Sequence, residues 1–245
     1  MNKAKFLENL DVIADSPNGI ERLRGFIFAL AVSGDLTSQP NDEVEAPVGL
    51  PSKDLPCNWR ICMLDEIAEY GGHGQVASRE IPDGAWVLDL EDIEKGTSRI
   101  LARVRAQHRA TKGTKSKFSS GDVLYGKLRP YLNKVLLADD DGFCTTEIVP
   151  IIPSEYILPE YLVISLKSPS FLDYADRKSY GMKMPRLGTK DAKSSLHNLP
   201  PLPSQKRIVA KVDELMALCD ELEKQQILRD ELREQFAESV LAAAT

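Results

Sequence analysis

Apolar positions change their period three times along this chain, and each change predicts a different kind of structure. In "NGIERLRGFIFALAVSGDL" (residues 18–36), Ile20, Leu23, Ile27 and Leu30 or Ala31 recur at the spacing of one helical face. Gly34 stands where a left-handed C-cap glycine belongs. "TSQPNDEVEAPVGLPSKDLPCN" follows, rich in proline, acids and small polar residues, and predicts a linker or surface excursion. From Trp59 to about Leu202 the texture is of short strands: "WVLDLEDI", "DVLYGKL", "KVLLA" and "EIVPII" are separated by "PDG", "KGT", "SSGD" and "DDDG" turn clusters. One helical stretch, "PEYLVISLKSPSFLDYA" (residues 159–175), interrupts them. Strands without a regular βαβ rhythm predict an α+β fold with a β-rich, mixed or antiparallel body.

After "NLPPLP", Ser204 is a candidate N-cap, and an unbroken helix is predicted from about Gln205 to Leu241. Ile208, Val212, Leu215, Cys219 and Leu222 alternate by four and three, which is a coiled-coil seam. The stripe resumes out of phase at Leu228 or Arg229, then Leu232, Phe236 and Val240, so the helix is expected to change partner along its length. At about 50 Å it would outrun a body of this size. The first seam can pack on the chain's own Leu23, Ile27 and Leu30, which leaves the outer stripe for a partner. Three units are therefore expected: residues 1–56, a helical segment and linker; 57–203, the body; 204–245, the long helix.

Composition narrows the chemistry. The 245 residues contain no apolar run of the roughly 18 needed to span a bilayer. "MNKAKFLENLDVIAD" lacks the apolar core of a secretion signal, so a cytoplasmic protein without membrane contact is expected. Four cysteines without a CxxC pair read as reduced thiols, and three scattered histidines show no metal-ligand spacing. No metal and no cofactor are expected.

The net charge of −6 is unevenly spread: −4 over residues 1–56, +1 over 57–203 and −3 over 204–245. From Arg99 to Lys117 there are seven Lys/Arg and no acid, a stripe that permits docking on phosphates. "GDVLYGKL" (residues 121–128) fits the frame of a phosphate-cradling loop, but Leu128 replaces the hydroxyl residue, and Arg129 before Pro130 is pushed out of the helical region where a helix should open. "NLPPL" and "PDG…DLEDIEK" likewise miss the spacings of amino-methyltransferase and nuclease motifs. No catalytic constellation stands out.

"GDVLYGKLRPYLNKVLLADDDGFCTTEIVPI" resembles the target-recognition domain of type I restriction–modification specificity subunits. "LDLEDIEKGTSRI" and "PEYLVISLKSPSFLDYADRKSYGMKMPRLGTKD" resemble further segments of that domain, and "LPPLPSQKRIVAKVDELMALCDELEKQ" resembles the helix that follows it. "ERLRGFIFALAVSGDL" is similar to the family's N-terminal stretch, while Ser204 departs from a position often held by Glu. The resemblance implies a non-catalytic subunit that binds double-stranded DNA and works with methyltransferase and restriction subunits. Family members typically carry two recognition domains and this chain carries one, so it is expected to be a half-length subunit or a truncated piece. Antiparallel pairing of two copies would then read an inverted repeat as a homodimer. A stand-alone DNA-binding regulator or anti-restriction protein, and a coiled-coil module that binds no DNA, remain alternatives.

For contact with DNA, Arg99, Arg103, Arg105, Arg109, Lys112, Lys115 and Lys117 lack acids beside them in sequence, although a merely solvated face is the competing reading. "TKGTKSK" (residues 111–117) reads as a flexible basic loop. Lys127, Arg129 and Lys134 form a second cluster with Tyr131, itself read as core. Lys178, Tyr180, Lys183 and Arg186 follow, with Gly181 allowing a tight turn, and Gln75 and Arg79 lie on a Gly-rich stretch. Ile208, Val212, Leu215, Cys219, Leu222, Leu228, Leu232 and Phe236 are the candidate partner face of the helix.

Overall fold

Val123–Gly126 is buried at every position, and its neighbours follow from that. In a computed structural model that describes residues 16, 18–38, 40, 43–109 and 112–243, it forms β6. Successive side chains of a strand point to opposite faces. Val123 and Tyr125 enter one core, with Tyr161, Leu162, Leu166 and Phe171; Leu124 enters a second, with Trp86, Phe118, Leu136 and Ile148. A strand apolar on both sides is covered on both sides, by helices on one and a sheet on the other.

β1 is Arg60–Met63, β2 Ala68–Tyr70, β3 Gln75–Ala77, β4 Trp86–Leu88 and β5 Thr114–Phe118; β7 is Val135–Leu137, β8 Gly142–Thr145, β9 Ile148–Pro153 and β10 Leu196–Leu199. The main sheet runs β2-β9-β6-β7 and is antiparallel throughout. The second runs β3-β5-β8-β4, with β4 and β8 parallel. Trp86 and Phe118 meet edge to face within it, centroids 5.2 Å apart. A Cβ on Gly142 would stand 2.6 Å from Phe118 Cζ, so only glycine admits that ring. β1 pairs antiparallel with β10, from Arg60 opposite Leu199 to Met63 opposite Leu196, which brings the two ends of the body together.

Among the helices, α1 (Gly19–Ser33) buries Ile20, Leu23, Ile27, Phe28 and Ala31; Ala31, not Leu30, completes the face. Gly34 closes it in the left-handed region at φ 86°, its N–H bonded to Leu30 O. α2 is Leu64–Ile67 and α5 Thr189–Lys193. The stretch read as one helix is two, α3 (Pro159–Lys167) and α4 (Pro169–Lys178), because Pro169 holds Ser168 extended at φ −65°, ψ 145°.

α6 spans Leu202–Ala243, 42 residues or about 63 Å. It begins earlier than expected: Gln205 N–H already donates to Pro201 O, so Ser204 lies inside the first turn and is not the N-cap. The Ser204 hydroxyl is buried and donates to Glu43, which also pairs with Arg207. The buried Gln205 amide donates to Tyr156 O at 2.9 Å and Pro200 O at 2.8 Å, and accepts from Leu158 N–H at 2.7 Å. Those bonds lock the start of α6 to the start of α3.

Ile208, Val212 and Cys219 are buried in the first core, with Leu215 and Leu222 partly covered against it. Past Leu222, the side chains of Ile227, Leu228, Leu232, Phe236 and Val240 are exposed. "GDVLYGKL" is β6 and its flanks: Gly121 N–H bonds Ala138 O and Gly126 N–H bonds Lys134 O, so neither is free to cradle a phosphate. No helix among the described residues is long and apolar enough to cross a membrane.

His197 on β10 is buried, its Nδ1 2.7 Å from Ser165 Oγ and its Nε2 2.8 Å from Ser195 Oγ. Burial pulls its imidazole down to about 4. Unfolded, the same ring takes up a proton near 6.5, so between 6.5 and 4 the unfolded chain holds more protons. This contribution to stability is whole above pH 6.5 and is lost as pH falls toward 4, with a ceiling of about 3 kcal/mol. Thermal denaturation between pH 7 and 4.5 is expected to show the loss, and His197→Gln to flatten that slope.

Candidate nucleic-acid interface

The structure sorts the basic residues into two groups, and the sorting follows from where the acids fold. Arg109 is almost covered and bonds Asp92 through Nη2 at 2.6 and 2.7 Å and Asp89 through Nη1 at 2.5 Å. Asp89 also takes Lys115 Nζ at 3.1 Å. Arg103 forks onto Asp139 at 2.7 and 2.8 Å with its guanidinium 4.2 Å above the Trp86 ring. Arg186 holds Glu147 by three bonds of 2.9–3.1 Å. Arg99 reaches Asp220 at 3.0 Å. The sequence-based expectation that the 99–117 stripe is unneutralised is therefore wrong for Arg99, Arg103, Arg109 and Lys115: their acids lie elsewhere in the chain and arrive through the fold. Paired this way, a cation has less field to offer a phosphate.

The second group keeps its charge for solvent. Among the described residues, no carboxylate lies within ion-pairing distance of Lys112, Lys117, Lys127, Arg129, Lys178 or Lys183. Arg105 is exposed and donates to Gly84 O at 3.1 Å. Arg79 is exposed in a short turn, 3.8 Å from Glu80. Lys134 is partly covered and donates to Leu90 O at 2.6 Å; burial lowers its affinity for a proton.

The split at 111–117 falls within one strand and follows from where Asp89 lies. Thr111 lies outside the described residues, but Thr114–Phe118 is β5, not a flexible loop. Lys115 and Lys117 share one face of it, yet Lys115 is buried beside Asp89 and Lys117 is exposed. Gln75, expected on a loop, is exposed on β3 opposite Ser116, its Oε1 accepting from Thr114 Oγ1 at 3.4 Å.

Around residue 129 the chain is bent and held. Arg129 sits in the left-handed region at φ 52°, and its N–H donates to Pro185 O at 2.7 Å. Tyr180 and Arg186 exchange two backbone bonds, of 3.1 and 2.9 Å, and so close a tight loop over Gly181–Pro185. Leu187 N–H reaches Lys127 O at 3.1 Å. Two basic clusters remote in sequence, Lys127/Arg129 and Lys183, are thus stitched into one region. Tyr131 is 56% exposed, not core, and Tyr180 and Met182 on the tight loop and its closing pair are exposed too. Sequence reasoning passed over Met182 and the acids Asp89, Asp92, Asp139 and Glu147. An acid's partner across a sheet leaves no local mark, whereas "GMKMPR" did show a glycine-led turn.

Comparison with known proteins bears on what this surface is for. Residues 58–230 match the family described as the type I restriction modification DNA specificity domain. The chain is 26% identical over 222 residues to the type I restriction enzyme EcoDI specificity subunit of Escherichia coli, covering 85% of this chain and 49% of that protein. It is 27% identical over 270 residues to the EcoAI specificity subunit of the same organism, covering 93% and 44%. The chain thus spans about half the length of the curated relatives it matches. In fold it is similar to a chain from a structural study of complex assembly and conformational transition of the type I R-M system, with a TM-score of 0.56, 18% identity, and 95% and 56% of the two chains covered. The type I restriction-modification S subunit from M. genitalium superposes with a TM-score of 0.50 at 14% identity, covering 94% and 56%. With residues 58–230 matched, the chain belongs to the type I restriction modification DNA specificity domain family.

Proposed function

We propose that this chain is a DNA-reading subunit of a type I restriction–modification system. Residues 57–203 recognise one half of a bipartite site in double-stranded DNA. The chain cuts and methylates nothing itself, and its helical parts recruit methyltransferase and restriction subunits. The observation that carries this reading is the sorting of cations. In a chain of net charge −6, Lys112, Lys117, Lys127, Arg129 and Lys183 keep their charge unpaired on the body. Each is free to displace counterions from a phosphate backbone. The antiparallel closure of β1 on β10 supports treating the body as one recognition unit.

A second copy is the partner proposed for the outer part of α6. Leu228 and Leu232 are each 56% exposed, Phe236 70% and Val240 50%, at four-residue spacing along one face. A large apolar row on a projecting helix marks an association surface. Covered by its own equivalent across a two-fold axis, it would hold two bodies apart to read an inverted repeat.

Binding to randomised duplex, followed by fluorescence anisotropy, should weaken steeply with salt. Alanine at Lys117, Lys127 or Lys183 should each lower the slope of log K against log salt by about 0.9. An unchanged slope in the triple variant would sink the DNA reading. Arg109→Ala belongs to the other group: it strands Asp92 in the interior and should cost about 3 kcal/mol in urea denaturation. In sedimentation, the wild type should run as a dimer and Leu232→Asp/Phe236→Asp as a helical monomer. A wild type that stays monomeric at tens of micromolar excludes the homodimer.

A further inference from the structure

α6 is seated on the body by an apolar seam that ends near Leu222, and four charges meet at that point. Arg24 on α1 donates through Nη2 to Asp220 at 2.5 Å and to Glu223 at 2.9 Å, both on α6. Arg99 reaches the same Asp220 at 3.0 Å and lies 3.8 Å from Glu223. Asp220 and Glu223 are three apart and share a helix face. They are bound by two different elements, α1 and the segment of the body that carries Arg99.

The backbone carrying Arg99 is itself fixed. Glu94 N–H bonds Arg99 O at 2.9 Å and Gly96 N–H bonds Leu132 O at 3.0 Å. From beneath, the buried Lys167 Nζ donates to Gly96 O at 2.8 Å and to Ser98 Oγ at 2.7 Å, and lies 3.3 Å from Thr97 O. Ser98 Oγ donates in turn to Asn133 O at 2.9 Å and accepts from Val135 N–H at 3.0 Å. Arg24 is only 14% exposed, so its pairs are sheltered from screening. Apolar contact is non-directional and lets a helix roll or tilt in its seat, whereas guanidinium–carboxylate bonds are directional.

We propose that Arg24, Arg99, Asp220 and Glu223 form a charged joint that fixes the direction in which α6 leaves the body. Residues 224–243 then act as a lever of about 30 Å. A tilt of about 10° at the joint moves the tip by about 5 Å, more than the 3.4 Å rise of one base pair. Where two bodies are held by paired helices, the joint therefore selects the spacer between half-sites. That consequence rests on the function proposed above; the joint itself does not.

Spin labels at the exposed native Cys57 and at Glu238→Cys, on the helix face opposite the apolar row, report the direction of the lever by double electron–electron resonance. Labelled chain is diluted into unlabelled chain, so that only distances within one copy contribute. The intact joint should give one narrow distance distribution. Asp220→Asn/Glu223→Gln should at least double its width, and Arg99→Gln, which leaves the Arg24 pairs in place, should widen it less. Arg99→Gln also serves if the double variant fails to fold. A width unchanged in both variants, or already broad in the wild type, overturns the joint. Duplexes selected from a randomised pool supply the second readout: one spacer for the wild type, neighbouring spacers added for the double variant. A widened distribution with an unchanged spacer overturns the consequence for spacing. If the wild type selects no duplex, the DNA reading and the spacing fall together, and the distances alone decide the joint.

Discussion

A strand with apolar side chains on both faces cannot border water on either, and β6 is such a strand. Its Val123 and Tyr125 draw α1, α3, α4 and the first turns of α6 to one side, and Leu124 draws the second sheet to the other. Because the helical layer includes the segments before β1 and after β10, both ends of the body are built into its core. α6 is therefore anchored through the Gln205 amide, the Glu43 contacts and the Ile208–Cys219 seam before it projects. A helix anchored so firmly at one end can carry a second function at the other.

Charge is distributed by the same layering. Cations brought over or beside a sheet meet acids in the segments just after β4 and β7 and are spent on structure, as with Arg103, Arg109 and Lys115. Cations on the tight loop and the bent backbone near residue 129 face outward and keep their charge. An acidic protein can then present a basic surface wherever its outward cations have no acid beside them. Electrostatic docking needs only that local excess.

How legible all this was depends on the range of the interaction. β4, β6, β7 and β9 lie in the runs of apolar and β-branched residues read as strands, and α1 ends at Gly34, since period and capping are local properties. Ser204 shows the limit of a local rule. It has the right chemistry for an N-cap, but Glu43 takes its hydroxyl and the helix begins at Leu202. Tyr131 is similar: an aromatic next to a turn reads as core until the fold leaves it outside.

The order of residues by itself determined the strand and helix periods, the α+β class, the long terminal helix and the position of its phase slip, because each depends on neighbours within a turn or two. Tertiary structure alone decided which lysines and arginines are neutralised. Asp89 and Arg109, Glu147 and Arg186, and Arg24 and Glu223 become partners only when distant segments are packed together, and Coulomb attraction depends on distance in space, not along the chain.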